Sequence, residues 1–320
     1  MSHQILLDVD TGRDDALALM FAVRHPDIHV QAITCVAGNT SVEDAAANTL
    51  SILDLVDAPE IPVALGARHP LIESPRDASW IHGTHGLGNV ELPVSGRRVE
   101  PFHAVELMRR CLLDSECQVT LVALAPMTNV ALLLRLYPDV VDRIKQIIFM
   151  GGSATVGNAT PVAEFNFWHD PEAAHIVLNS GVPLTMYGWD VLWSMRVGAL
   201  GIAQLCESDD LVLQVAGRLL AFEAVDPSNG TPVIYDCIGD AGTLCALVAP
   251  ELFGIENRPV QLVLTPGPAR GQTIVDRRSM AGEDSAHHLA EPVPMIDVVS
   301  SVRNDEVLTL FIECLANRSW

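Results

Sequence analysis

Apolar residues in this chain fall into short unbroken runs, with helically spaced stretches between them. The runs are QILLDVD (4–10), HVQAITCVAG (29–38), IPVALGA (61–67), QVTLVALA (118–125), QIIFMGG (146–152) and VPLTMYGWD (182–190). Each predicts a strand. The early runs do not alternate apolar with polar positions, which predicts parallel strands covered on both faces. Helical spacing follows most of them, at 14–24, 41–57, 103–114, 127–137 and 170–180. Strands and helices in alternation predict an α/β fold with three layers, α/β/α, around a mostly parallel sheet. Ser41 with Asp44 forms a capping box, and Asp170 stands as an N-cap before Pro171 at the first helical position. Beyond residue 192 the pattern predicts a helical region at 198–225 and a helix near 240–249. Strands are expected within 255–279 and near 293–299, then a final helix at 304–316. No linker interrupts the pattern, so a single domain spanning 1–320 is expected, with long excursions at 68–100, 153–169 and 226–236.

Composition narrows the choice of function. The 320 residues are 49% hydrophobic with a mean hydropathy of +0.28, values that belong to a large buried core. No apolar run reaches the roughly 18 residues of a membrane span, and the N-terminus has no basic region of the signal-peptide kind. A cytoplasmic protein with no membrane partner is expected. Seven cysteines without a C-x-x-C pair fit buried free thiols in a reducing compartment. The formal net charge is −21, with Lys145 the one lysine among 19 basic residues. Such a surface repels nucleic acid and suits a cation or a neutral small molecule.

The candidate chemistry begins at DVDTGRDD (8–15), where a buried strand should meet a helix. Acids in a helix's first turn interact well with its dipole, which accounts for Asp14 and Asp15. It does not account for Asp8 and Asp10 at the carboxyl end of the strand, where open α/β sheets bind ligands. Four carboxylates there repel one another unless a cation compensates, and oxygen donors favour calcium or magnesium. The stretch also resembles the nucleophile motif of haloacid dehalogenase-like phosphatases, hhhhDxDxT. Here Thr11 comes one position early, and Lys145 lies too far upstream of Gly239-Asp240 to be that class's lysine. Arg13 reads as a solvated helix-start residue.

Further constellations lie downstream. Asn39 follows the second strand in VAGNTS, and ALAPMTN turns sharply at Ala125-Pro126. GNATPVAEFNFWHDPEAA (157–174) sets Asn158, Glu164 and Asn166 among aromatic residues, and Asp240 precedes an apolar helix. With DVDTGRDD in the expected order, these motifs resemble the nucleoside hydrolases, the inosine–uridine-preferring N-ribohydrolase family, over roughly residues 4 to 250. The resemblance implies a Rossmann-like central sheet and calcium-dependent hydrolysis of ribonucleosides to ribose and free base. It implies Asp10, Asp15, Asp240 and the backbone carbonyl of Leu124 as calcium ligands, with Asp10 also the base that activates water. Asp14, Asn39 and Asn166 would hold the ribose hydroxyls, Asn158 and Glu164 the 5′-hydroxyl, and Asp8 would orient its neighbours. His82 matches a family histidine in the loop over the base and is expected as acid or base contact, with His85 a further candidate. Tyr235 and Trp189 are candidates for the nucleobase end. The family often places a histidine immediately before the last calcium aspartate; this chain has Gly239. That departure leaves a second reading open, a non-catalytic or specialised homologue that binds a ribosyl compound. The resemblance also implies a homodimer or homotetramer.

Overall fold

The computed structural model describes residues 2–289 and 292–316. The strands form where the apolar runs predicted them: β1 (His3–Val9), β2 (Ile28–Cys35), β3 (Val63–Leu65), β4 (Val119–Ala123), β5 (Ile144–Met150) and β6 (Leu184–Tyr187). After them come β7 (Glu223–Val225), β8 (Pro232–Ile234), β9 (Phe253–Leu262), β10 (Thr273–Val275) and β11 (Met295–Val302). Nine of these make one sheet in the order β10-β9-β11-β6-β5-β4-β1-β2-β3. Its pairs are parallel from β3 through β11, while β9 runs antiparallel to both β11 and β10. The α/β/α class and the mostly parallel sheet are as predicted.

Side-chain alternation along β1 builds the two halves of the core. Ile5, Leu7 and Val9 pack into a cluster with helices Arg13–Arg24, Ala241–Val248 and Asn304–Leu315. Leu6 packs into the opposite cluster, with helices Ala104–Asp114, Thr128–Leu136 and Pro171–Leu178. With both faces of the sheet buried, continuous apolar runs follow. The predicted caps form: Ser41 Oγ accepts from the Asp44 N–H at 3.1 Å, and Asp170 Oδ1 from the Ala173 N–H at 3.0 Å.

Three elements differ from the sequence pattern. The run at 182–190 stops being a strand at Tyr187, and Trp189–Leu192 is a helical turn. The helical region at 198–225 is two helices, Gly198–Cys206 and Leu211–Leu220. Asp210 separates them by accepting from the Val212 and Leu213 N–H groups, and a carboxylate so engaged starts a helix rather than continuing one. The excursion at 226–236 contains β8, which pairs with β7 in a hairpin. Among the described residues no helix is long and apolar enough to cross a membrane.

The topology also sets where a ligand can sit. From β1 the chain goes to β2 and β3 on one side, then returns to β4, β5 and β6 on the other. Loops leaving the carboxyl ends of β1 and β4 therefore diverge and leave a crevice between them.

Candidate active site

At that crevice the chain gathers its acids. Carboxylate oxygens of Asp14, Asp15 and Asp240 lie within 4.8 Å of one another, and all three residues are buried. Asp10 is beside them, fully buried, and Asn39 holds it twice: the backbone N–H to Oδ2 at 2.6 Å and Nδ2 to Oδ1 at 3.2 Å. Asn39 Nδ2 also reaches Asp15 Oδ2 at 3.2 Å, so one amide braces two carboxylates. Asp15 accepts in addition from the backbone N–H groups of Asp10 and Gly12. Burial and mutual repulsion disfavour ionisation. Burial, then the charge of Asp14, push Asp15 up to about 7, and burial followed by neighbouring carboxylates holds Asp10 and Asp240 well above the usual range. Asp14 Oδ1 is buried without a hydrogen-bond partner. Hard oxygen donors, excess negative charge and an unpartnered carboxylate oxygen together fit a divalent cation.

Asp8 stands apart from this group. It follows Leu6 onto the other face of β1, where its Oδ1 accepts from Thr34 Oγ1 at 2.6 Å and Asn129 Nδ2 at 2.8 Å. Burial raises it to about 7. Its partners tie β1 to β2 and to helix Thr128–Leu136, which steadies the strand end bearing Asp10. The lysine that a phosphatase would need beside Asp8 is not there: Lys145 is exposed at the start of β5, away from the carboxyl ends.

A cleft of about 450 Å³ opens above the acids. Asp14, Asn39, Leu124, Asn158, Glu164 and Asn166 line it, as do His82, Tyr235 and Asp240. The excursion at 153–169 forms one wall. Glu164 caps the short helix Phe165–His169 and accepts from the N–H groups of Gly152, Asn166 and Phe167, while burial raises it to about 7. Asn166 Nδ2 donates to the Leu124 carbonyl at 3.0 Å, tying this wall to the end of β4. Asn158 Oδ1 accepts from the Phe165 N–H at 2.8 Å, which leaves its amide N–H groups for a ligand. Asp190 secures the start of the loop through Ser153 Oγ at 3.0 Å and the Ala154 N–H at 2.6 Å.

The far wall is aromatic. Trp189 stacks on Trp193 with ring centres 5.1 Å apart and on Tyr235 at 6.0 Å. All three line the cleft, with Trp80, Phe165 and Trp168 also on its walls. Trp193 and Trp80 were not foreseen, because they approach the site only through the helical turn after β6 and the short helix Ser79–His82.

His82 is buried and 3.7 Å from Asp14 Oδ1. Its Nδ1 accepts the Arg13 backbone N–H at 3.2 Å, so Nε2 carries the hydrogen. Burial pushes its pKa down to about 4. His85 goes elsewhere: its exposed ring lies 3.5 Å from Asp44 Oδ1. Arg13, expected in solvent, is 2% exposed. Its helix start is covered by the 219–235 segment, which sequence spacing does not reveal. At the position of the absent histidine, Gly239 has φ +56°, and a Cβ there would overlap the Cβ of Asp14. The backbone therefore excludes a larger residue.

Residues 5–309 match the model of the family described as inosine-uridine preferring nucleoside hydrolase. A pyrimidine-specific ribonucleoside hydrolase, RihA, from Photobacterium profundum is 40% identical over 87% of this chain and 90% of its own. RihA of Salmonella paratyphi B is 37% identical over 88% of this chain and 91% of its own. Among solved structures, a plant nucleoside hydrolase, PpNRh1, aligns with TM-score 0.87 and 26% identity, covering 98% of this chain and 99% of that one. A purine-preferring ribonucleoside hydrolase from Gardnerella vaginalis aligns with TM-score 0.84 and 29% identity, over 98% of both chains. The chain belongs to the inosine-uridine preferring nucleoside hydrolase family and is an enzyme of that hydrolytic class.

Proposed function

We propose that this enzyme is calcium-dependent and cleaves the N-glycosidic bond of ribonucleosides, releasing ribose and free base. The observation that carries this reading is a buried acid group at the floor of the cleft: oxygens of Asp14, Asp15 and Asp240 lie within 4.8 Å of one another, Asp10 adjoins Asp15, and Asp14 and Asp240 face the aromatic-walled cleft. Asp10, Asp15, Asp240 and the Leu124 carbonyl would hold the calcium ion. When bound, that ion supplies a fixed positive charge that organises the sugar diol and the attacking water. Asp14, Asn39 and Asn166 bind the ribose hydroxyls, and Asn158 and Glu164 bind the 5′-hydroxyl. A substrate lacking a hydroxyl leaves these buried groups unpaired, which favours ribose over deoxyribose. A carboxylate oxygen of Asp10 takes the proton of the attacking water. As C1′ becomes oxocarbenium-like, the surrounding carboxylates stabilise its charge. His82 acts as a neutral donor through Nε2–H, and Tyr235 and Trp189 stack on the base.

Pyrimidine ribonucleosides are the substrates this reading favours. The curated relatives at 37–40% identity are named pyrimidine-specific, and Gly239 offers no side chain to protonate a purine. We further read the chain as a single domain that acts in the cytoplasm as a homodimer or homotetramer. Free-base release from uridine, cytidine, inosine and 2′-deoxyuridine, with calcium and after chelation, tests the proposal. Release from uridine, lost on chelation and in Asp10→Ala, is the expected outcome. A folded, calcium-loaded protein that frees no base from any riboside would instead be a ribosyl-compound binder in function.

A further inference from the structure

The base end of the cleft is backed by a charge that the reaction above leaves unused. Arg13 is 2% exposed, and its Nε and Nη2 have no hydrogen-bond partner. Nη1 donates to the Leu219 carbonyl at 2.9 Å. The guanidinium carbon lies 4.9 Å from the Phe222 ring centre and 5.6 Å from that of Tyr235. Among the described residues it forms no ion pair. Burying a guanidinium with donors unspent is unfavourable, and an apolar side chain of like size would fill the space at less cost. Packing alone therefore does not explain an arginine here.

Its position explains more. The Arg13 backbone N–H fixes the His82 ring from one side, and its side chain holds the segment that carries Tyr235 from the other. Phe222 also touches the loop after His82: a Cβ at Gly88 would meet the Phe222 ring at 2.7 Å. Arg13 thus joins the acid turn, the His82 loop and the Tyr235 segment. The cleft itself is lined by no lysine or arginine among the described residues, and Gly239 contributes no acid. Arg196 also lies against this wall, over Trp193 at 4.9 Å, but its charge is paired with Asp236 at 2.7 Å, whereas the Arg13 guanidinium, 5.6 Å from the Tyr235 ring centre, has no carboxylate partner among the described residues.

We propose that the Arg13 side chain is the positioning group of the leaving-base end: it holds the segment that carries Tyr235 against the base, and its charge stabilises the negative charge that builds there. This rests on the N-riboside reading above. The C1′–N bond breaks heterolytically and both electrons go to the ring nitrogen. The base departs as an anion delocalised onto its carbonyl oxygens. Water adds its oxygen to C1′ and passes a proton to Asp10, and that proton returns through solvent to the base. The sum is riboside plus water to ribose plus neutral base. The substrate class that follows is ribosides of bases with an acidic ring N–H, uracil-like, over bases that must be protonated to leave.

The test compares uridine with 4-nitrophenyl β-D-ribofuranoside, whose nitrophenolate leaves without assistance, using the calcium-loaded enzyme. Arg13→Met should lower kcat on uridine by ~10- to 100-fold, as loss of an electrostatic stabiliser does. Its effect on the nitrophenyl riboside should be under about 3-fold, with no drop in Tm because a buried charge is replaced by an apolar chain. Arg13→Lys should recover part of the uridine rate. Equal losses on both substrates, or no loss on either, would overturn the assignment. A wild-type series of 5-substituted uridines serves should the variants not fold: kcat should rise with the acidity of the departing N–H, and a flat series overturns the proposal. Wild-type turnover of the nitrophenyl riboside reports on ribosyl hydrolysis by itself, so the two readings fail separately.

Discussion

The backbone N–H of Arg13 donates to Nδ1 of His82 at 3.2 Å, and this single contact decides what His82 can offer. With Nδ1 an acceptor and the pKa lowered to about 4 by burial, the ring is neutral above about pH 5 and carries its one hydrogen on Nε2, the donor that the proposed role requires. His82→Ala should lower kcat on uridine by about 10- to 100-fold, the worth of a buried hydrogen-bond donor. The limbs of the pH–rate profile should stay where they are. A limb that vanishes with the histidine would show that it transfers a proton instead.

The raised carboxyls make a stability prediction with a definite sign. Asp8, Asp15 and Glu164 each sit at about 7 in the folded chain, mainly through burial, against about 4 unfolded. Between those values the folded state binds more protons, so stability is lost as pH rises through the window. In chelator, Tm should fall from about pH 5 to about pH 8. Saturating calcium should remove much of that fall, because binding favours the deprotonated acids. Calorimetry at both pH values, with and without calcium, checks it; a chelated Tm that rises with pH is the contrary result.

Asp240→Asn separates metal binding from folding. It removes one charge from a group of mutually repelling acids. At about pH 8 in chelator its Tm should therefore match or exceed that of the wild type. The calcium-induced gain in Tm should largely disappear, and kcat should fall by about 1,000-fold or more. Calcium titration calorimetry and thermal shift give the two readouts. Undiminished calcium affinity would remove Asp240 from the ligand set.

Asp190 acts at a distance from the sugar. Asp190→Ala frees the Ala154 N–H and Ser153 Oγ, two anchors of the wall that leads to Asn158 and Glu164. KM for uridine should rise by about 10-fold with a smaller change in kcat, the pattern of lost positioning. A pure kcat effect would contradict that role.

Gly239→His should not create a purine hydrolase. The left-handed φ of +56° and the overlap of a Cβ with Asp14 force either the backbone or the acid cluster to move. Calcium affinity and Tm should both drop, by about 1–3 kcal/mol in stability. Rapid inosine turnover by a stable variant would show that the backbone adapts.

The chain's own residue order determined much of this protein. Runs without alternation declared strands buried on both sides, Ser41 and Asp170 marked helix starts, and DVDTGRDD placed acids where β1 ends. These features are local, set by backbone geometry and burial within a few residues, and so they are legible. Tertiary structure decided the rest. Asp8 turns to Thr34 and Asn129, away from the acid trio, because strand alternation and the packing of helix Thr128–Leu136 send it there. Asp210 cuts a helix that looked continuous. Arg13 is buried by Leu219, Phe222 and Tyr235, more than 200 positions away, and Gly239 must be a glycine because Asp14 occupies its side-chain space. Contacts between segments so distant in the chain leave no periodic trace, because neither partner's neighbours carry information about the other.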